Sequence, residues 1–417
     1  MLQTLDLHIH SRYSRACSPR LTLANIDVAC RQKGVDIIAT GDFTYPAWFE
    51  SIDKELEETS AGSGLYRLRS AADDKVKFIL STELSLVYKD GDKVRRLHLV
   101  LHAPSIDAVR KLNKQLGDKF NIRSDGRPIL GISAPDLVRL VLAVDPKFLI
   151  YPAHIWTPWF SVFGSKSGFD SLEECFKDQT KHIYAIETGL SSDPAMNWRL
   201  SALDKLTMLS NSDAHSLDNI SREANVMDLS ASPSYQEIYG HIKSRTGLVM
   251  TVEFYPEEGM YHIDGHRDCN FSCDPAESRR LKNICPVCHK PLIIGVLNRV
   301  EELADRPLGY QPKNAVPFKK LVELDKIIAE SFGIKSRHSQ KVRREYDRLI
   351  AEFGSEMHVL LKLDLSNISK DIDKRIIEGI SRVRSGDLII QPGFDGQYGR
   401  INIFSDSNRP VSQNKLF

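Results

Sequence analysis

Two imidazoles stand one residue apart in Asp6-Leu7-His8-Ile9-His10-Ser11. Side chains of a strand alternate between faces, so His8 and His10 share one face while Leu7 and Ile9 share the other. Two neutral imidazoles side by side at a strand end can grip zinc, iron or manganese. Far downstream, Asp213-Ala214-His215 repeats the alternation with an acid and a histidine. Asp42 follows the strand-like run Val35–Thr40, Glu83 follows Val76–Thr82, His154 follows Phe148–Ala153, Asp213 follows Leu206–Leu209, and His98 lies inside Leu97–His102. Active sites of parallel barrels sit at the carboxyl ends of the strands. Six chain segments that deliver His, Asp or Glu to equivalent ends therefore read together as a metal site. Paired divalent ions can make hydroxide from water, clamp a phosphoryl oxygen and stabilise the leaving oxygen, so no nucleophilic serine or cysteine is required. Cys17 and Cys30, near the first motif, read as small buried residues.

Three further groups carry chemistry. Cys269-x3-Cys273 and Cys285-x2-Cys288 fit two knuckles on one tetrahedral zinc, and four thiolates leave no open coordination position, so this zinc is structural. His262, His266 and His289 are available substitutes, read here as residues around that site or on the surface. Behind His154 crowd Trp156, Trp159, Phe160 and Phe163, followed by Gly164-Ser165-Lys166-Ser167-Gly168. Aromatics fill cores as well as interfaces. The alternative is a stacking wall for a base, with Lys166 on a flanking phosphate and Trp198 and Arg199 adding to it. In a helix expected over 336–353, Arg337, Lys341, Arg344 and Arg348 form one stripe opposite Val342, Tyr346, Leu349, Ile350 and Phe353. That stripe is either a solvated face or a set of phosphate contacts.

The elements that must position these residues follow from the rest of the chain. With 417 residues, two or three domains are expected. Apolar residues make up 41% and charged residues 27%, and the formal net charge is +1, so any nucleic-acid binding must come from local basic patches. No apolar run is long enough to span a membrane and the start lacks a secretory pattern, so a soluble, cytoplasmic chain with no membrane partner is expected. Up to about residue 252, helix-like segments around 23–33, 105–117, 133–144, 171–178, 194–204 and 234–245 alternate with the strand-like runs. Such alternation indicates an α/β barrel or a wound parallel sheet. Composition shifts after Tyr255-Pro256-Glu257-Glu258-Gly259, giving expected units 1–255 (the barrel), 260–295 (a zinc-binding ribbon), 300–404 (mostly helical, ending in the strand Arg400–Phe404) and a disordered tail, 405–417.

The motifs Asp6–Ser11, Thr40-Gly41-Asp42, Thr82-Glu83, His98, Pro152-Ala153-His154 and Ser212-Asp213-Ala214-His215 resemble the polymerase-and-histidinol-phosphatase (PHP) superfamily. The resemblance implies a distorted (β/α)7 PHP-type barrel carrying two or three divalent ions, Zn2+ or Mg2+/Mn2+, that hydrolyses phosphoesters. It implies one ion on His8, His10, Glu83 and Asp213, a second on Glu83, His98 and His154, and a third on Asp42 and His215. Asp213, Glu83 and His8 would then be catalytic. Phe43 and Tyr45 depart from the pattern, because many members place a histidine just after the acid of the second motif.

With the knuckles, the aromatic loop and the run Arg299–Pro307, the resemblance narrows to the endonuclease Q family over nearly the whole chain. It implies a DNA repair enzyme that nicks double-stranded DNA 5′ of deaminated bases (hypoxanthine, uracil, xanthine) and abasic sites, with the zinc ribbon and the helical region holding DNA and the barrel receiving a flipped nucleotide. Trp156, Trp159, Lys166 and the basic stripe are the DNA contacts expected from the residues themselves. Gln413, Leu416 and Phe417 resemble the short motif that docks on bacterial sliding clamps. The alternatives are a small-molecule phosphatase of the histidinol-phosphate type and a non-catalytic DNA-binding module. A small ester needs neither a zinc ribbon nor a basic helix.

Overall fold

A computed structural model describes residues 1–367 and 371–405 and shows a mixed α/β fold. Strand β1 (Leu2–Asp6) pairs in parallel with β2 (Ile37–Ala39), and the helix Leu23–Lys33 crosses between them. Thr22 caps that helix by accepting from the Asn25 N–H, and Leu23, Ile26 and Cys30 form its buried stripe. Strands β3 (Leu56–Glu58), β4 (Leu65–Leu68) and β5 (Lys77–Ile79) extend the sheet beyond β2.

The chain departs from strict alternation at β3, β4 and β5, which follow one another with no helix between them, and again after Leu80. Strands β6 (Ser81–Asp90) and β7 (Lys93–His102) form a long antiparallel hairpin with no helix between them. Its two-residue loop is Gly91-Asp92, and Gly91 takes φ 60°, the backbone that such turns require. The hairpin is flanked by β8 (Ile129–Leu130) and β9 (Leu149–Pro152). Strands β10 (Ala185–Glu187) and β11 (Thr207–Leu209) form a parallel pair. Strands β12 (Ala224–Asp228) and β13 (Leu248–Glu253) then return antiparallel along the far side of β1. The eight-stranded sheet, the four-stranded sheet and the parallel pair are joined by backbone hydrogen bonds: Phe43 N–H to Ser81 O (3.1 Å), Ile155 N–H to Glu187 O (3.1 Å) and His10 N–H to Ala214 O (3.1 Å). The segments that follow β1, β2, β9 and β11 and the start of β6 thus meet at one place.

Beyond β13, β14 (Asp264–His266) and β15 (Phe271–Cys273) make a small hairpin. Next, β16 (Phe318–Lys320) pairs in parallel with β13, so the large sheet runs across the expected boundary at residue 255. A second core, centred on Leu324, Ile327, Val342, Leu349, Ile376 and Ile380, takes in Val252 and Tyr255. Among the described residues no helix is long and apolar enough to cross a membrane. Gln413, Leu416 and Phe417 lie outside the described residues.

Candidate active site

His8, His10 and Asp213 converge into one group, and Glu83, His98 and His154 into a second. Glu83 links the two. Its Oε1 lies 2.8 Å from His98 Nδ1 and 3.1 Å from His154 Nε2. Its Oε2 lies 3.3 Å from His10 Nε2 and 3.8 Å from His8 Nε2. Asp213 Oδ1 stands 3.1 Å from His10 Nε2 and 3.9 Å from His8 Nε2.

The tautomers decide what this arrangement can hold. His8 donates its Nδ1–H to Glu187 Oε1 (3.0 Å), and His10 donates its Nδ1–H to Asp42 Oδ1 (3.0 Å). Both Nε2 atoms are then lone pairs aimed at carboxylate oxygens, and His8 Nε2, His10 Nε2 and Asp213 Oδ1 are buried without a hydrogen-bond partner. Lone pairs facing lone pairs in a buried site need a cation between them. The electrostatics show the same demand for positive charge, which a proton on each ring meets where no ion is bound. Burial pushes His8 down, yet Glu187 and Glu83 hold it well above the usual imidazole range. Burial likewise opposes His10, and Asp42 and Asp213 raise it. Glu83 stays well below the ordinary carboxylate range despite burial, because His98, Arg127 and His8 surround it. Asp213 is likewise lowered, against burial, by His10 and His8. Burial pushes His98 down to about 4, which keeps it neutral and able to ligate at neutral pH. The donor set of imidazoles and carboxylates suits zinc or manganese.

Asp42 and His215 fall outside both groups. One oxygen of Asp42 faces His10, and the other accepts from Ser11 N–H (2.6 Å), Ser11 Oγ (2.7 Å) and Ser14 Oγ (2.8 Å), so Asp42 orients His10. His215 Nδ1 lies 2.8 Å from the Asp213 carbonyl, and the His215 ring stands edge-on to His10. Asp42, His154 and Asp213 all take positive φ (48°, 28° and 46°). Bulkier side chains avoid that region, and its cost is tolerated where neighbours fix the geometry. Below His154 runs Gly189, whose missing Cβ would lie 2.4 Å from the His154 Cβ.

Two residues at the site escaped the sequence reading. Glu187 ends β10 and follows a strand-like run as Asp42 and Glu83 do, so the same rule would have found it. Arg127, whose Nη1 lies 3.0 Å from Glu83 Oε2, comes from a loop and leaves no pattern.

The cysteine cluster is His266, Cys269, Cys285 and Cys288, with their ligand atoms within 4.8 Å of one another. Cys273 is not in it, and its Sγ lies 3.2 Å from Ser278 Oγ. Both halves therefore have x2 spacing, and each is followed by a residue with positive φ, Asn270 (47°) and His289 (59°). Three thiolates and one imidazole fit a closed tetrahedral zinc site.

The expected DNA contacts scatter. Trp156 is buried and donates to Asn197 Oδ1 (2.8 Å), so it is a core residue. Trp198 is buried against Phe318, and Arg199 pairs with Glu301. Trp159 is 41% exposed, edge-on to Tyr261, and Lys166 is exposed. The expected basic helix begins later than its pattern suggests, at Gln340, with Ser339 as its cap. Arg337 precedes it and points inward to Asp325 (2.7 Å) and Glu323 (3.1 Å). Arg348 bonds Glu345 and the Asp371 carbonyl, while Lys341 and Arg344 remain exposed.

The chain resembles proteins already known. Residues 323–387 match the family model of the MJ0043 C-terminal domain. A protein of Methanocaldococcus jannaschii, MJ0043, is 31% identical over 59% of this chain, a match spanning 31% of that protein's length. The crystal structure of the lesion-specific endonuclease PfuEndoQ from Pyrococcus furiosus superposes with a TM-score of 0.84 at 30% identity, covering 99% of this chain and 98% of that one. Endonuclease Q bound to a 27-mer duplex with an abasic lesion at its active site superposes with a TM-score of 0.83 at 31% identity, covering 99% and 100%. Fold and site together mark the protein as a hydrolase. The chain belongs to the endonuclease Q family.

Proposed function

We propose that the protein is a metal-dependent DNA repair endonuclease that hydrolyses the phosphodiester 5′ of deaminated bases (hypoxanthine, uracil, xanthine) and of abasic sites. The observation that carries this reading is the pair of ligand groups joined through Glu83, with buried lone pairs facing one another. Bound divalent ions supply Lewis acidity and a hydroxide at neutral pH. His8, His10 and Asp213 would hold one ion, His98 and His154 the other, with Glu83 between. The remaining chemistry belongs to the chain itself. Glu187 and Asp42 fix the imidazole tautomers, and the buried surroundings of His8 and Glu83 keep bulk water from competing. Trp159 offers an exposed ring to a nucleotide turned out of the duplex, a displacement least costly for damaged or mismatched bases.

Family membership and the backbone bonds that link the sheets support reading the first 255 residues as a distorted (β/α)7 barrel, and the Cys3His cluster as a structural zinc in a small ribbon. The partner is duplex DNA, as in the lesion-bound relative.

The test is to incubate the protein and divalent metal with duplexes bearing one hypoxanthine, one uracil, one abasic site or no lesion, beside a phosphate monoester. A nick 5′ of the lesion is expected, abolished by chelation. Asp213→Asn should reduce it by more than about 100-fold, since even partners one step removed from an ion are worth about 10- to 100-fold. Monoester turnover without nicking would assign a small-molecule phosphatase. Lesion binding without hydrolysis under any metal would leave a binding module.

A further inference from the structure

The segment from Arg110 to Arg127 holds six cations and two carboxylates, in a chain whose formal net charge is only +1. Of the two acids, Asp125 is turned to the backbone N–H groups of Arg15 (3.1 Å) and Arg127 (2.9 Å). Arg110 is neutralised by Asp53 and Asp107. Lys114, Lys119 and Arg123 are exposed and form no ion pair among the described residues. They edge a groove of about 770 Å³ whose lining includes Phe49 and Phe120. The second acid, Asp118, also lines the groove, so against Lys114, Lys119 and Arg123 the wall keeps an excess of two positive charges, which a polyanion would complete.

Two hydrogen bonds through the protein interior tie the wall of this groove to the active site. Thr44 lines the groove, and the Thr44 hydroxyl meets that of Thr82, the neighbour of Glu83, at 2.9 Å. Asn113, also in the lining, donates to the carbonyl of Phe43, the neighbour of Asp42, at 2.7 Å. The segment then ends at Arg127, 22% exposed, with one N–H on Glu83. A guanidinium carries five donors, so Arg127 keeps several for a second acceptor.

We propose that the groove carries the sugar–phosphate backbone of the DNA strand entering the active site. Lys114, Lys119 and Arg123 neutralise phosphates flanking the cut, and Arg127 reaches the scissile phosphate. This rests on the nuclease reading and supplies the DNA contacts that Arg337 and Trp156 do not.

The decisive experiment measures binding of an abasic duplex under chelation across about 50 to 300 mM salt, because each phosphate left without its cation shallows the dependence of log affinity on log salt by about 0.9. Lys114→Gln/Lys119→Gln/Arg123→Gln should be shallower than the parent by about 2 to 3 and should raise KM for nicking more than it lowers kcat. Arg127→Lys should instead lower kcat by about tenfold or more, because the fork that grips a phosphate is removed while the charge is kept. If the parent nicks lesion duplexes but the triple variant keeps its salt dependence and KM, the groove assignment falls and the nuclease reading stands. If the parent nicks no duplex, the nuclease reading fails, and the binding slopes still decide whether DNA occupies the groove.

Discussion

Glu187 serves three partners at once. It accepts from His8 Nδ1 (3.0 Å), from the His154 backbone N–H (2.8 Å) and from Asn211 Nδ2 (2.7 Å), and so fixes one residue of each ligand group. Glu187→Gln keeps the shape but turns one of the two acceptor oxygens into a donor, which then faces the N–H of either His8 or His154. Metal affinity should fall by about 10- to 100-fold, read as the metal concentration giving half-maximal nicking, while excess metal restores much of the activity. Gly189→Ala acts by shape alone. The new Cβ would sit 2.4 Å from the His154 Cβ, on a backbone whose φ is 62°. A lowered melting temperature together with weakened metal binding is expected, since forcing such backbone costs on the order of 1–3 kcal/mol. Among the candidate residues, Asp42, Glu83, His154 and Asp213 stood out because each follows an apolar run, and His8 and His10 because they alternate with Leu7 and Ile9. Arg127 was not, because a loop residue that reaches the site through space leaves no period to read.

At the scale of elements, two local features account for what the sequence concealed. A hairpin was hidden between expected strands because Ser81–Asp90 and Lys93–His102 carry charged outer ends, Tyr88-Lys89-Asp90 and Lys93-Val94-Arg95-Arg96, which mask their alternation. Cysteine count drew the expected cluster to Cys273, whereas the structure gathers His266 with Cys269, at the same spacing as Cys285 and Cys288. The helices fared better. Leu23–Lys33 and Ala134–Val144 fall where their patterns place them, since capping residues mark their starts. Elemental analysis of purified protein can check the knuckle. Cys273→Ser should retain the zinc of the Cys3His cluster, whereas His266→Ala should lose it or hold it about tenfold more weakly or worse.

Across the whole molecule, buried charge links stability to pH. Glu253 is buried on β13, where burial raises it to about 7, against the opposing hydrogen bond from Thr251. Glu223, equally buried, is pushed well up by burial and by Glu253, and its Oε2 has no partner. Both acids bind protons more tightly folded than unfolded. Their contribution is therefore complete below the unfolded value of 4.5 and declines as pH rises through the folded value of Glu253 near 7. The melting temperature should drop between about pH 5 and pH 8, and Glu253→Gln, which mimics the protonated acid, should flatten that drop in thermal melts.

The strand β16 has a consequence for anyone who would borrow the catalytic half alone. Severing the chain after residue 255 strips Phe318–Lys320 from β13 and bares the flank where Val252 and Tyr255 meet the helices beyond. Such a fragment would carry every ligand of both groups and still be unusable, an open rail and a greasy side that bind copies of themselves before any DNA. Expressed on its own, residues 1–255 should sediment with aggregates, and the engine and the grip have to be inherited as one piece.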